Sequence, residues 1–206
     1  MKIYFSPFSP YVRKCLVAGH ELGLNERIEL LPSNASPVLR DQEIIAKNPL
    51  GKVPTFLTDD GQVLYDSRVI CEYLDNLADG TLFPRSGRAR WETLTLQSLA
   101  DGMLDACLLA RYEDVARPEA LRWADWRAAQ LDKVATSLAH LETCPQQLDD
   151  RVDMGSLTVG CALWYLDLRF PEVNWRSSYP KVAQWFAIFS QRPSMQTTWV
   201  LAPTAD

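Results

Sequence analysis

The chain of 206 residues reads as a mixed α/β half of order β-α-β-α-β-β-α joined to an all-helical half. Three observations carry that reading. Strand-like and helix-like hydrophobic periods alternate through the first eighty residues. A stretch punctuated by Gly and Pro follows (GTLFPRSG, residues 80–87). Beyond it, apolar residues recur at helical spacing with almost no β-prone runs. The expected organisation is residues 1–80, a connection at 81–88, and a helical unit over 89–206.

Residues 2–5 (KIYF) are β-prone and alternate, and residues 10–23 carry Val12, Leu16, Val17 and His20 at helix spacing up to Gly23. A second strand is expected over 27–31, with Ile28 and Leu30 on one face. The polar stretch PSNASP then leads to a short helix over 37–46. Residues 53–57 and 62–65 flank Thr58, Asp59, Asp60 and Gly61, a composition suited to a hairpin loop. Residues 66–77 place Val69, Ile70, Tyr73, Leu74 and Leu77 on one helical stripe, with Ser67 as the expected N-cap. Helices are expected at 89–115, at 118–142 after Pro118, and at 155–169, 180–190 and 194–199.

Composition narrows the function. The chain is 47% hydrophobic and 23% charged with a net charge of −5, ordinary for a globular protein large enough to bury about 70% of its unfolded surface. Charge is not polarised: residues 1–80 hold 8 basic and 11 acidic groups, leaving 13 and 15 for the rest. No basic patch for nucleic acid or anionic membrane is advertised. Cys15, Cys71, Cys107, Cys144 and Cys161 are an odd, widely spaced set without a CxxC pair, so neither a disulfide framework nor a zinc site is expected. With His20 and His140 the only imidazoles, a His-based metal centre is not expected either. The start MKIYFSPFSPY has no apolar leader, and the longest apolar stretches are too short for a membrane span. The expected location is the cytoplasm.

Three features could carry chemistry. Ser9, Pro10 and Tyr11 sit where a strand turns into a helix. Capping alone accounts for Ser before Pro, yet a helix start with its free N–H groups and a hydroxyl also stabilises a thiolate brought to it. Ser9 has no general base near it in sequence, so its chemical role would be to lower the pKa of a ligand's thiol rather than to act as nucleophile. Residues 48–54 (NPLGKVP) form a Gly-bearing turn before a strand. Structural punctuation explains a Pro there, while a cis bond before Pro54 would offer the Val53 N–H and C=O to an extended peptide ligand. Tyr65, Asp66 and Ser67 mark the next strand-to-helix junction. Beyond capping, Ser67 with nearby N–H groups would accept a carboxylate while Asp66 pairs with an ammonium, so the two would recognise an α-amino-acid end.

SPY in the first βα turn, NPLGKVP before the third strand and YDSRVICEYL at the third helix together resemble the thioredoxin-like half of cytosolic glutathione S-transferases. The helical remainder resembles their second domain, so the resemblance covers essentially the whole chain. NPLGKVP followed at this distance by DS is far more specific than either piece. Residues 99–106 (LADGMLDA), Arg117 with Pro118, and residues 160–170 (GCALWYLDLRF) are similar to a bacterial, YibF-like subgroup. One segment departs from the family pattern, a Ser or Thr cap followed three residues later by Asp. Here Asp153 precedes Ser156, an exchanged order that still permits reciprocal capping.

The resemblance implies a glutathione-dependent enzyme without a metal. Ser9 matches the catalytic Ser or Cys position of zeta, omega and related classes and would activate the glutathione sulfur, with Ser6 farther from the helix start. Val53 would pair with the cysteinyl backbone, Lys52 would approach the glycyl carboxylate, and Asp66 with Ser67 would hold the γ-glutamyl end. Ser rather than Cys at position 9 permits a hydrogen bond to sulfur but no mixed disulfide, and SPYV lacks both sulfurs of a CPxC site. Cys15, inside the first helix, reads as packing.

The second substrate, a small hydrophobic electrophile, would sit between the halves near Tyr11, Asp101, Asp105, Cys107, Leu108, Arg111 and Tyr112. Core packing and solvated charge explain the same spacing. Trp164, Trp185 and Trp199 read as helical core, and His140 as a surface or capping residue. A homodimer is implied by the family, as is detoxification chemistry. The alternative is a glutathione-binding regulatory or interaction protein of the same fold with little turnover.

Overall fold

The computed structural model describes residues 1–148 and 151–199. Four strands form one mixed sheet of order β2-β1-β3-β4: β1 (Lys2–Phe5), β2 (Glu29–Pro32), β3 (Phe56–Leu57) and β4 (Val63–Leu64). β1 runs parallel to β2 and antiparallel to β3, which is antiparallel to β4. Helices α1 (Pro10–Glu21), α2 (Gln42–Ile45) and α3 (Ser67–Leu77) complete the β-α-β-α-β-β-α order. The remainder is helical: α4 (Gly87–Val115), α5 (Ala124–Thr143), α6 (Met154–Arg169), α7 (Trp175–Ser178), α8 (Pro180–Phe189) and α9 (Pro193–Thr197).

Several elements differ from the sequence reading, each for a local reason. A 3-10 turn at Asn25–Arg27 delays β2. As an edge strand, β2 leaves Leu30 48% exposed while Ile28 is buried, so the two do not share an environment. The expected helix over 37–46 shrinks to one turn. The Ser36 hydroxyl takes the N–H groups of Val38 and Leu39, and Asp41 caps Glu43 and Ile44, so helix begins only after Asp41. Asp66, not Ser67, caps α3: its carboxylate accepts from the Arg68 N–H at 2.9 Å, leaving Ser67 the first helical residue. Val69 is 47% exposed, and Cys71 and Asp75 take the inner face instead. Asp75 earns that burial by accepting from the N–H groups of Leu82 and Phe83. Helix α4 starts at Gly87, inside the expected connection. After Pro118 comes a 3-10 turn (Glu119–Leu121), and α5 begins at Ala124 once Glu113 has taken the Trp123 N–H at 2.6 Å. The reciprocal box at Asp153 and Ser156 forms as expected.

Helix α6 is the central post of the helical region, buried from Met154 through Leu166, with Trp164 in the core. Trp185 and Trp199 are half-buried against that core. Helix α4 approaches α6 closely at Gly155, where a Cβ would lie 2.9 Å from the Leu96 Cβ and 3.0 Å from the Thr93 carbonyl. Helix α1 bridges the two regions. Its Arg13 donates to the carbonyls of Met195 and Thr198 at the end of α9 and stacks 4.3 Å from the Trp164 ring centre. Burial lowers that guanidinium to about 10. Lys14, with no exposed side chain, donates to Asp101 of α4 at 2.6 Å, and Arg68 of α3 reaches the other carboxylate oxygen at 2.8 Å. Burial works to lower the Lys14 ammonium, and the Asp101 carboxylate outweighs it, leaving Lys14 above its ordinary value.

Asp101→Asn removes the counter-charge from a buried ammonium and is expected to cost about 3–5 kcal/mol, read as a lower urea midpoint at unchanged slope. A second expectation concerns acid. Burial alone would raise the Glu21 carboxyl, but the Arg192 guanidinium at 2.8 Å and the Ser194 hydroxyl hold it below the usual range. Its contribution is therefore full above the ordinary carboxylate pKa of about 4.3 and is lost as pH falls through the lowered folded value. Glu21→Gln should lower Tm at pH 7, with the gap narrowing steadily below about pH 4.

Candidate functional site

Strand directions bring three sequence-distant junctions to one end of the sheet. In the β1–β3 register Ile3 faces Phe56 and Lys2 faces Leu57, and in the β3–β4 register Phe56 faces Leu64. The exits of β1 and β4 therefore lie beside the entrance of β3, and the Tyr4 N–H donates to the Thr55 carbonyl at 2.9 Å. The chain leaves β1 for Ser9, enters β3 through Lys52 and Val53, and leaves β4 for Asp66 and Ser67. A contact between the Cys15 thiol and the Ser67 carbonyl, 3.8 Å, ties the first helix to the start of the third.

Ser9 is the N-cap of α1, and its Oγ accepts from the Val12 N–H at 3.2 Å. Used as an acceptor, the hydroxyl keeps its own proton for donation. The Val53–Pro54 bond is cis, and among the described residues neither the N–H nor the C=O of Val53 has a partner. Lys52 is exposed and has no carboxylate partner among the described residues. The turn before it is held by Asn48, which bonds the Lys52 carbonyl, the Thr55 hydroxyl and the Leu50 N–H. Ser67 is only 3% exposed, yet its hydroxyl has no hydrogen bond among the described residues, and its N–H opens a helix. The exposed Asp66 carboxylate stands beside it.

The seven residues expected near a second substrate separate. Asp101 is 1% exposed and committed to Lys14 and Arg68, and Cys107 is 1% exposed with its thiol pushed up to about 12 by burial. Neither presents a surface to a ligand; they are an anchor and core. Tyr11, Leu108, Arg111 and Tyr112 are half-buried. The Tyr11 hydroxyl donates to Asp105, and burial followed by that carboxylate raises its pKa. Burial also raises Tyr112. The sequence reading missed Phe8, Tyr165 and Arg169. Arg169 stacks 4.6 Å from the Phe8 ring centre, one residue from Ser9. The visible signal was Tyr165 and Arg169 at i, i+4 near the end of a mostly apolar helix.

Family models describe the same arrangement: glutathione S-transferase N-terminal domain over residues 8–77 and glutathione S-transferase C-terminal domain over 124–187. The chain belongs to the glutathione S-transferase family. Among curated relatives of this transferase-family chain, the uncharacterized GST-like protein YibF of Escherichia coli is 33% identical over 204 residues, covering 96% of this chain and 98% of YibF. Elongation factor 1-gamma of Danio rerio is 28% identical over 77% of this chain, which spans only 36% of that protein. Among solved structures, a glutathione transferase family member from Pseudomonas fluorescens with bound glutathione superposes with a TM-score of 0.95 at 45% identity, covering 98% of this chain and 99% of that one. A further structure from the same organism holds S-(propanoic acid)-glutathione, with a TM-score of 0.89 at 45% identity over 96% and 97% of the two chains. No helix among the described residues is long and apolar enough to cross a membrane.

Ser9 carries a structural duty that is separable from chemistry. Ser9→Ala removes the cap of α1 and should cost about 1 kcal/mol, a Tm decrease of roughly 2–4 °C for a chain of this size. Ser9→Asn or Ser9→Asp should retain most of that stability in the same melting experiment.

Proposed function

We propose that this protein is a glutathione transferase, in which residues 1–80 bind glutathione, residues 81–88 connect, and residues 89–206 supply the wall for the second substrate. The observation that supports it most is the convergence of three unsatisfied sets of groups at one sheet end. They are the Ser9 hydroxyl proton, the Val53 N–H and C=O, and the Ser67 N–H and hydroxyl. An extended tripeptide with an acidic head matches them in order. Its cysteinyl backbone extends the sheet at Val53, its γ-glutamyl carboxylate meets the start of α3, and its ammonium meets Asp66. Lys52 takes the glycyl carboxylate. The sulfur then lies at the start of α1, where the Ser9 hydroxyl donates to it and the helix dipole favours its negative charge. Ser9 thus stabilises the thiolate of glutathione, a thiol of ordinary pKa near 8.5, for attack on a small electrophile. The S-(propanoic acid)-glutathione held by the Pseudomonas fluorescens neighbour supports room beyond the sulfur for a second group. A homodimer and a cytoplasmic location belong to the same proposal.

Calorimetry with glutathione tests the binding half. The parent protein should give saturable heat below millimolar concentration, and Ser67→Ala and Asp66→Asn should each weaken binding about tenfold, the loss of one charge-assisted hydrogen bond. Asn is chosen because it keeps the cap that Asp66 provides while removing its charge. Absence of heat from the folded parent protein rejects the site. For the catalytic half, the ultraviolet absorbance of the bound thiolate followed against pH should show Ser9→Ala raising the thiol pKa by about one unit, 1.4 kcal/mol. Binding without turnover of any electrophile by the parent protein would favour the regulatory alternative.

A further inference from the structure

Ser9 is flanked in sequence by two rings, and each is gripped from the helical region. Phe8, just before it, carries the Arg169 guanidinium of α6 at 4.6 Å from its ring centre. Tyr11, two residues after it, donates its hydroxyl to the Asp105 carboxylate of α4. Burial, and then that carboxylate, raise the Tyr11 hydroxyl, so it keeps the proton it donates throughout the neutral range. Ser9 itself is built into the first turn of α1. Its Oγ accepts from the Val12 N–H at 3.2 Å, its carbonyl accepts from the Arg13 N–H at 3.0 Å, and its own N–H donates to the Ser6 carbonyl at 3.1 Å. Tyr11 lies inside that turn. The first turn of a helix frays readily because its leading N–H groups lack helical partners, and fraying would scatter the directions of the hydroxyl and of those N–H groups. A grip on each side of Ser9 opposes it.

We propose that Asp105 and Arg169 are positioning residues for the glutathione sulfur: through Tyr11 and Phe8 they hold the Ser9 hydroxyl and the start of α1 in the geometry that stabilises the thiolate. The helical region thereby sets the acidity of the first substrate as well as the wall for the second. The assignment rests on the glutathione reading of the Ser9 site and concerns the sulfur alone, since neither grip involves Lys52, Val53, Asp66 or Ser67. Asp105 acts by the hydrogen bond it accepts and not by its charge, because a carboxylate near a thiolate disfavours the thiolate. Bond and charge therefore push the thiol pKa in opposite directions, and substitution separates them.

The test is the pH titration of the bound thiolate by ultraviolet absorbance, on the full chain saturated with glutathione. Tyr11→Phe and Asp105→Ala should each raise the thiol pKa by up to about one unit, the scale of one hydrogen bond, and Arg169→Met should raise it in the same direction. Asp105→Asn, whose amide oxygen still accepts from Tyr11, should keep the parent value or fall below it. Because the grip acts through Ser9, Ser9→Ala combined with Tyr11→Phe should match Ser9→Ala alone. Glutathione affinity measured well below the thiol pKa should not change in Tyr11→Phe or Asp105→Ala. A parent-like thiol pKa in folded Tyr11→Phe and Asp105→Ala overturns the assignment. So does a double variant whose shift is the sum of the single shifts, or a rise in Asp105→Asn equal to that in Asp105→Ala. Failure of the folded parent protein to bind glutathione, or a parent-like thiol pKa in Ser9→Ala, overturns the reading of the Ser9 site, and this inference with it. Asp105 is exposed on α4, so its two variants carry the test even where a variant in the cleft does not fold.

Discussion

The Asp101 carboxylate is the point on which the geometry turns. It sits in the middle of α4, almost sealed from water, and holds Lys14 of α1 with one oxygen and Arg68 of α3 with the other. These residues lie within a turn or two of Ser9 and Ser67, so one buried anion from the helical region fixes the relative placement of both helix starts. A hydrophobic contact in its place would hold the helices together without specifying their register, because apolar packing is non-directional. A hydrogen-bonded charge triad is satisfied only in one arrangement, and its members are costly in any other.

That constraint explains how a site can be assembled from junctions that are each weak alone. A helix start is an ordinary structural feature, and a Pro-bearing turn before a strand is another. The sheet registers bring the exits of β1 and β4 beside the entrance of β3, and the Asp101 triad then orients two dipole ends toward the same opening. The groups left unsatisfied there, the Val53 backbone and the Ser67 hydroxyl, are the ones a peptide with an acidic head would satisfy. Helix α1 is also held near its start by Arg13 on the carbonyls of α9, and at its far end by Glu21 on Arg192 and Ser194. Motion of Ser9 relative to the helical wall is correspondingly restricted.

The sequence carried most of the architecture because its signals were local. The alternation of KIYF, the Ser-Pro helix start and the helix expected over 155–169 needed no tertiary information, and the Asp153–Ser156 box followed from three-residue spacing. What it misplaced depended on competition or on distant partners. The helix over 37–46 lost to Ser36 and Asp41 side chains bonding nearby backbone, and Val69 faced outward because Asp75 had loop N–H groups to satisfy inside. Asp101 shows the limit most clearly. Its helical position pointed to a cleft residue, and only the fold reveals that Lys14, 87 positions away in sequence, turns it into a buried anchor.

A crystal structure of the protein with glutathione bound tests the central claim most directly. The account expects the sulfur within hydrogen-bond reach of the Ser9 Oγ, the cysteinyl backbone paired with Val53, and the γ-glutamyl carboxylate on the Ser67 N–H. Glutathione bound with its sulfur remote from the start of α1, or with its γ-glutamyl end away from Asp66 and Ser67, would contradict it.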